Sequence, residues 1–237
     1  METVVILANG LATRMGGSAA KTLTPVRGDQ TILEVLLKEI GECAGRYRVV
    51  LFVREERSEL RRISRASGLN VELHIAEPRG YFRDLVAVKR DLGLRSFAVV
   101  DSDLVVPTGQ LTSFLDASAA DGSWLTIGVT KVPERSSGRP AWVRLDDADY
   151  ISHMDRLGPA EHRTVGAFRW SDLALRDAGT PTSAASVMAY ISQHLDTPAR
   201  VRGVHFDDAV NVNTESDIDA ACRVLAATAA GDKEESG

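Results

Sequence analysis

Residues 3–26 read TVVILANGLATRMGGSAAKTLTPV, and this stretch decides the fold. Its β-branched start, Thr3 to Leu7, predicts a buried strand. A glycine-rich loop follows, and glycine lets the backbone approach a ligand closely and point several N–H groups at a phosphate. Arg14 can hold two phosphate oxygens at once, and Lys21 adds a second cation. The spacing is neither that of the Walker phosphate loop nor that of dinucleotide binders.

The remainder of the first half alternates strand and helix signals. Thr31 and Glu34 form a capping box that begins a predicted helix over residues 31–40. Alternation at this rhythm predicts an α/β fold with a doubly wound, mostly parallel sheet. The further predicted strands are 48–53, 71–76 and 96–100, and the further predicted helices are 57–67 and 84–92.

The second half is richer in strands. Strands are predicted at 125–129, 141–145 and 150–151, and helices at 184–194 and 217–230. We interpret this segment as a small strand-rich insertion on the main sheet. The chain is therefore expected to form one domain over 1–228, with halves of about 1–106 and 107–228 and a disordered tail over 229–237.

Composition narrows the class of protein. The chain has 237 residues, 44% hydrophobic and 26% charged, with a net charge of -5, which suits a large core and argues against binding to nucleic acid. Cys43 and Cys222 have no metal-ligand spacing, and we expect two reduced, packed thiols. No signal peptide or membrane-length apolar run is present, so a cytoplasmic protein without a membrane partner is expected.

The glycine-rich stretch also resembles a known family. LANGLATRMGG followed by KTLTPV is similar to the signature L-A-A/G-G-x-G/S-x-R-M/L, then K-P-L-x-x-V, of sugar-phosphate nucleotidyltransferases. Relatives of these enzymes include cytidylyltransferases and molybdenum-cofactor guanylyltransferases. Three further landmarks of the family recur in order, EPRGYFRDL at 77–85, VVDSDL at 99–104 and NVNTESDI at 211–218. The resemblance implies a Rossmann-like nucleotidyltransferase fold.

The resemblance also assigns roles at the nucleotide. Arg14 and Lys21 become the catalytic cations: Arg14 holds the leaving β,γ-phosphates, and Lys21 bridges the α-phosphate and the incoming phosphate. The residues implied to contact the nucleotide are Leu7, Ala8, Asn9, Gly10, Pro78, Gly80 and Asp101.

Two carboxylates, Asp101 and Asp103, follow the strand that ends at Val100. Open α/β sheets bind ligands at the carboxyl ends of their strands, and Mg²⁺ prefers hard oxygen ligands. By resemblance Asp103 is the ligand of Mg²⁺, the implied cofactor. Asp101 stands where the family often has Asn, so two roles stay open for it. It could contact the ribose, or it could support the residues that bind the metal. A strand-end turn capped by Asp is the simpler alternative.

A second metal ligand is expected from Asn211 or Asn213, and the register leaves both open. Asp207 and Asp208 could supply further negative charge. The same segment also reads as a helix start, with Asn213 or Thr214 as the cap, and the two roles are compatible.

The acceptor side departs from the family pattern. Tyr81, Phe82 and Arg83 replace small residues, so Phe82 and Arg83 are expected to line the nucleotide or acceptor pocket. The family's second Lys has no counterpart, and Arg156 or Lys131 could take its place.

Two further residues lie on this side. Gly166 is expected to let the acceptor approach the backbone, or else to mark a strand bulge. His153 reads as a surface histidine rather than a catalytic base.

Together these implications describe an enzyme that transfers a nucleoside monophosphate from a triphosphate to a sugar 1-phosphate or similar phosphorylated small molecule and releases pyrophosphate. Its partners are then those two substrates, and a homodimer stays open. One alternative is a cytidylyltransferase that acts on a non-sugar phosphate or phosphonate. The other is a non-catalytic nucleotide-binding protein on the same fold.

We expect Arg14→Ala and Lys21→Ala each to lower turnover by about a hundredfold or more, the scale for losing a charge contact in the transition state. Steady-state pyrophosphate release measures the effect, with circular dichroism as the control for folding. Near-normal turnover of either variant would remove that residue from the catalytic machinery.

Overall fold

The computed structural model of the chain describes residues 2–8, 21–43, 47–120, 122–131, 141–155, 160–175, 186–197 and 200–234. Its helices are α1 (Ile32–Glu42), α2 (Ser58–Ala66), α3 (Tyr81–Asp91), α4 (Gln110–Ala120), α5 (Val187–Ser192) and α6 (Glu215–Glu234), with a 3-10 turn at Lys21–Leu23. Its strands are β1 (Glu2–Ala8), β2 (Pro25–Arg27), β3 (Gln30–Thr31), β4 (Tyr47–Val53), β5 (Val71–Ile75), β6 (Phe97–Asp101), β7 (Leu104–Val105), β8 (Leu125–Lys131), β9 (Trp142–Leu145), β10 (Ile151–Asp155), β11 (His162–Trp170), β12 (Val201–Phe206) and β13 (Val210–Asn211).

The main sheet is mostly parallel. Strands β5, β4, β1 and β6 are neighbours in that order and all run parallel. Strand β11 is antiparallel to β6 and to β8, so β8 runs in the same direction as β6, and β12 is parallel to β8. The predicted α/β fold with a doubly wound sheet is confirmed.

The strand order reverses at β1. From β1 the chain passes through α1 and α2 to β4 and β5, and then returns through α3 to β6 on the other side of β1. A reversal of this kind opens a crevice at the carboxyl ends of the two central strands, because the connections leave them in opposite directions. The residues that follow β1 and β6 lie at this crevice.

Side chains of β1 alternate between two cores, as the period of a buried strand requires. Val4 and Ile6 face the core formed with α1, α2, α4 and α6. Val5 and Leu7 face the opposite core, formed with α3 and α5. The sheet is therefore the middle layer of three. The capping box of α1 is present, with Thr31 and Glu34 each bonding the backbone of the other.

The strand-rich insertion is a hairpin, β9–β10, joined to the start of β11. Its tip folds back onto β12: Tyr150 bridges Arg202, and the N–H of Gly203 donates to the carbonyl of Asp149 at 2.7 Å. A Cβ on Gly203 would lie 2.8 Å from Leu145 Cδ2, so glycine is required there for close packing.

Three expectations of local structure are corrected. Helix α4 was not predicted, because its apolar residues are few and the rest of QLTSFLDASAA is small or polar. Strand β12 was also missed, since its polar and apolar residues make a weak pattern. Helix α6 continues to Glu234, so residues 229–234 are helical rather than disordered, and the expected domain end at 228 falls inside a helix. The alanine-rich run has high helix propensity, which outweighs the single Gly231.

Two smaller findings concern the cysteines and the length of the helices. Cys43 and Cys222 are both free; Cys43 is buried as expected, whereas Cys222 is exposed and not packed. Among the described residues no helix has the length and apolar character needed to cross a bilayer.

A buried carboxyl group connects α1 to α4. Glu39 is 3% exposed and accepts a hydrogen bond from the Gly109 N–H at 2.8 Å. The hydroxyl of Thr112 donates to the Glu39 carbonyl at 2.9 Å. Burial raises the pKa of Glu39 to about 7, because an ionised carboxylate is poorly solvated between two helices.

Glu39→Gln should raise the free energy of unfolding by about 1–3 kcal/mol at pH 8 and change it little at pH 4. The reason is that the folded-state pKa lies above the unfolded value, so the stability contributed by Glu39 is present below pH 4.5 and is lost as the pH rises through 7. Urea unfolding at the two pH values tests this, with Glu42→Gln as the control for an exposed charge on the same helix. An equal effect of Glu39→Gln at both pH values would contradict it.

Candidate active site

A lysine ammonium lies between two oxygen atoms at the crevice. The Nζ atom of Lys21 is 3.3 Å from Oδ2 of Asp103 and 2.6 Å from Oδ1 of Asn213. The side chains of Lys21 and Asp103 are 19% and 18% exposed, so the pair is largely shielded from bulk water. The Lys21 ammonium is therefore paired and partly shielded rather than freely solvated.

A small ribbon brings these distant residues together. Strands β7 and β13 pair antiparallel, with Asn211 opposite Leu104. The N–H of Val212 donates to the Asp103 carbonyl at 2.8 Å, which ties the turn after β6 to the end of β13. The late segment thus reaches the crevice through backbone hydrogen bonds.

The start of α6 holds this segment in place. Oδ2 of Asp217 accepts from the backbone N–H groups of Asn213 and Thr214 at 2.9 and 2.8 Å. Helix α6 begins at Glu215, so Thr214 stands at the N-cap position, one of the two positions expected for the cap, and Asp217 in the first turn bonds back to its N–H. The Asn213 side chain is consequently available to the crevice.

The two asparagines differ in what they offer. The Nδ2 group of Asn211 donates to Oδ1 of Asp103 at 3.3 Å, whereas Oδ1 of Asn213 faces the Lys21 ammonium. The Nδ2 group of Asn213 donates to the backbone carbonyl of Asn211 at 3.1 Å. Asp103, Asn211, Asn213 and Lys21 therefore form one hydrogen-bonded cluster.

Asp101 is held by two other elements. The hydroxyl of Tyr81, on the first turn of α3, donates to Oδ1 of Asp101 at 2.7 Å. Gly166 of β11 lies against the same carboxyl group, since a Cβ there would be 2.4 Å from Oδ2 of Asp101. Gly166 was expected to receive the acceptor, and in the structure the Asp101 side chain fills the space that its missing Cβ leaves.

The charge of Asp103 acts on the neighbouring Asp101. Burial and the charge of Asp103 together raise the pKa of Asp101 to about 8. The hydrogen bond from Tyr81 and the charge of Lys21 oppose that rise. Burial of the Tyr81 hydroxyl and the adjacent Asp101 charge hold the pKa of Tyr81 well above its usual range.

The segment expected to contact the base precedes α3. Gly80 has φ of +96°, a conformation that favours glycine, and it leads directly into Tyr81. The N–H of Arg79 donates to Oδ1 of the buried Asp84 at 2.9 Å, which fixes the turn after Pro78.

On the β1 side, Leu7 is 7% exposed and its carbonyl accepts from the Ser102 N–H at 3.3 Å, next to the half-buried Ala8. Asn9, Gly10 and Arg14 lie outside the described residues.

The expectation for Phe82 is wrong. Phe82 is 6% exposed and packs in the core against Tyr190, with ring centroids 5.1 Å apart. Spacing could have shown this, because Phe82, Leu85 and Val88 recur on one helical face. Arg83 is exposed on α3 and makes no hydrogen bond or ion pair with the described part of the chain. Tyr81 is the bulky residue of this segment that reaches the crevice.

The remaining candidates that the structure describes form no hydrogen bond or ion pair with the cluster. Lys131 and His153 are exposed on β8 and β10, and Arg156 is outside the described residues. Asp207 accepts a hydrogen bond from Gln110 Nε2 at 2.6 Å, and Asp208 bonds the Ala209 N–H. The described residues contain no group of three or more His, Cys, Asp or Glu placed to hold a metal ion.

Comparison with known families agrees with this geometry. Residues 4–171 match the family described as MobA-like NTP transferase domain. The chain belongs to this family. The resemblance to nucleotidyltransferases is thereby confirmed, and the protein is a nucleotidyltransferase. No curated protein matches the chain significantly in sequence.

Solved structures share the fold over nearly the whole chain. They include a protein from Bacillus anthracis assigned as a glucose-1-phosphate thymidylyltransferase, with a TM-score of 0.79 at 11% identity over 94% of this chain and 95% of that one. HddC from Yersinia pseudotuberculosis has a TM-score of 0.70 at 17% identity over 94% and 99%. The inositol-1-phosphate CTP transferase from T. maritima has a TM-score of 0.70 at 15% identity over 94% and 96%.

Phe82→Ala should lower the free energy of unfolding of this nucleotidyltransferase by about 3–5 kcal/mol, because it removes a buried ring from the α3 core. Arg83→Ala is the matched control on the exposed face of the same turn, and its effect should stay within about 0.5 kcal/mol. Urea unfolding measures both variants. A stable Phe82→Ala protein with altered nucleotide preference would instead show that Phe82 lines the nucleotide pocket.

Proposed function

We propose that the protein transfers a nucleoside monophosphate from a nucleoside triphosphate to a sugar 1-phosphate or a similar phosphorylated small molecule and releases pyrophosphate. The observation that carries this proposal is the cluster of Lys21, Asp103 and Asn213 at the crevice between β1 and β6. The fold neighbours support the acceptor class, since two of them are named for glucose 1-phosphate and inositol 1-phosphate.

The reaction needs one in-line displacement. An oxygen of the acceptor's phosphate forms a bond to the α-phosphorus, the bond from that phosphorus to the β-phosphate oxygen breaks, and pyrophosphate leaves with the electron pair. A phosphate monoester is ionised near neutral pH, so the step needs no general base. Catalysis then rests on alignment and on neutralising negative charge.

Lys21 is suited to reduce the repulsion between the two phosphates. Its ammonium already lies between oxygen atoms of Asp103 and Asn213 at 3.3 and 2.6 Å, at the mouth of the crevice. Phosphate oxygens entering there would compete for the same ammonium, which could bridge the α-phosphate and the incoming phosphate. Arg14, seven residues earlier in the glycine-rich loop, would hold the leaving pyrophosphate.

The oxygen atoms around the Lys21 ammonium also fit a magnesium ion. Oδ2 of Asp103 and Oδ1 of Asn213 converge on one cation, and both are the hard ligands that Mg²⁺ prefers. Asp103 and Asn213 would hold the ion, while Asn211 orients Asp103 through its Nδ2 group. When bound, Mg²⁺ would supply positive charge beside the α-phosphate.

The nucleotide would lie over the ends of β1 and β5. Leu7, Ala8, Asn9 and Gly10 on one side and Pro78 and Gly80 on the other would supply backbone groups for the base. The space beside Gly80 is open. Apart from its two chain neighbours, no described residue has a heavy atom within 4 Å of the position that a Cβ would take. Asp101 would contact the ribose, and Arg156 or Lys131 would bind the acceptor's phosphate.

Pyrophosphate release tests the proposal directly. Each nucleoside triphosphate is incubated with Mg²⁺ and a panel of sugar, polyol and amino-alcohol phosphates, and phosphonates form a separate arm. Release that requires both a triphosphate and a phosphorylated acceptor supports the proposal. Nucleotide binding without release in any arm would instead favour a non-catalytic binding protein.

Asp103→Asn should abolish turnover, because the carboxylate that pairs with the Lys21 ammonium becomes neutral, whereas Asp101→Asn should keep a measurable rate. Titration of turnover against Mg²⁺ compares the two variants, and thermal unfolding checks that both fold. A normal curve for Asp103→Asn with a collapsed curve for Asp101→Asn would exchange the two roles. Near-normal curves for both variants would show that the metal does not bind at this strand end.

A further inference from the structure

Both oxygens of Asp101 lie against protein groups that belong to α3 and β11. Oδ1 accepts the Tyr81 hydroxyl at 2.7 Å, and Oδ2 lies against Gly166, where a Cβ would be 2.4 Å away. Asp103, two residues later, instead directs its oxygens to Lys21 and Asn211. The two carboxylates are neighbours in sequence and are turned to different partners.

Tyr81 is placed for this contact by its element and by its ring. It is the first residue of α3, directly after Gly80 with its positive φ of +96°, so the helix begins by directing Tyr81 towards β6. Its ring meets the Phe168 ring edge-on, with centroids 6.3 Å apart. The side chain is 37% exposed, yet its hydroxyl is the end that meets Asp101. The hydrogen bond therefore links α3 to β6, and the contact of the Tyr81 ring with Phe168 adds β11.

Two adjacent carboxylates at a strand end would normally make a stronger cation site than one. Affinity for a divalent metal rises with the number of charged ligands, and Mg²⁺ held by one carboxylate needs substrate phosphates to complete its coordination. Which of these two situations applies depends on whether Asp101 can turn towards Asp103.

We propose that Tyr81 is a positioning residue that withholds Asp101 from the metal, so that the metal site of the free protein has a single carboxylate, Asp103. The inference rests on the proposed function, in which Asp103 and Asn213 hold the ion. Metal then enters with the nucleotide, whose phosphates supply the missing charge, and free metal alone does not fill the site.

This arrangement has a functional consequence for Lys21. An ion bound tightly before the nucleotide would compete with the Lys21 ammonium for Asp103 and Asn213, because the ion and the ammonium would use the same two oxygens. A one-carboxylate site keeps Lys21 at the crevice until phosphates arrive. Tyr81 thus acts on the order of binding rather than on the reacting atoms.

The test measures the affinity of the protein for Mn²⁺ in the absence of nucleotide. The electron paramagnetic resonance signal of free Mn²⁺ reports binding, and competition with Mg²⁺ shows that both ions use the same site. Tyr81→Phe keeps the ring against Phe168 and removes only the hydroxyl. It should tighten Mn²⁺ binding by about tenfold or more, since a second carboxylate becomes available. The double variant Tyr81→Phe with Asp101→Asn should return to within about twofold of the wild-type affinity.

A control removes a phenolic hydroxyl elsewhere. Tyr150→Phe, on the β9–β10 hairpin, should leave Mn²⁺ affinity unchanged. In turnover assays, Tyr81→Phe should also lower the Mg²⁺ concentration that gives half-maximal rate, an effect that a merely structural role would not produce.

Unchanged Mn²⁺ affinity in Tyr81→Phe, or tightening that persists in the double variant, would overturn the inference. Because binding is measured without nucleotide, it is separable from the proposed function. Tightened binding in a protein that releases no pyrophosphate would refute only the transferase reaction. Pyrophosphate release with unchanged metal affinity would refute only the role of Tyr81.

Discussion

Strand β1 pairs with β4 on one side and with β6 on the other. The chain leaves β1 and β6, the two central strands, in opposite directions. The crossovers therefore cannot cover the carboxyl ends of β1 and β6, and a crevice remains where they diverge. The glycine-rich loop leaves β1 at this edge, and Asp101 and Asp103 leave β6 at the same edge. Without the reversal at β1, Lys21 and Asp103 would not meet at one edge of the sheet.

Charge at the crevice is balanced by contacts from distant parts of the chain. Asp101 is buried beside the charge of Asp103, and for these two reasons its pKa rises to about 8. Lys21 compensates Asp103 from the loop, Asn213 joins it from the end of β13, and Tyr81 compensates Asp101 from α3. Each carboxylate thus has its own partner, and the separation of these partners gives the two residues different chemistry.

The acceptor half is organised chiefly by packing. Strand β11 lies between β6 and β8, and the β9–β10 hairpin folds back onto β12. Glycines allow the closest contacts: a Cβ on Gly128 would lie 2.5 Å from the Phe206 ring. Gly166 belongs to the same group, although its neighbour is the carboxyl group of Asp101. Close packing in this half therefore determines how a residue of the site is oriented.

The sequence by itself predicted the doubly wound, mostly parallel sheet, because hydrophobic periodicity is a local property, and the spacing of the glycine-rich loop carried the resemblance to the family. It also placed Lys21, Asp103, Asn211 and Asn213 in the candidate set, and the structure brings these four together. Only the tertiary structure decided that the Tyr81 hydroxyl meets Asp101, that Asp217 holds the backbone just before α6, and that Asn213 rather than Asn211 directs its oxygen to Lys21. These choices depend on helix phase and on contacts between residues far apart in the chain, such as Tyr81 with Asp101 and Lys21 with Asn213, and the energy of such contacts is not encoded in any one segment.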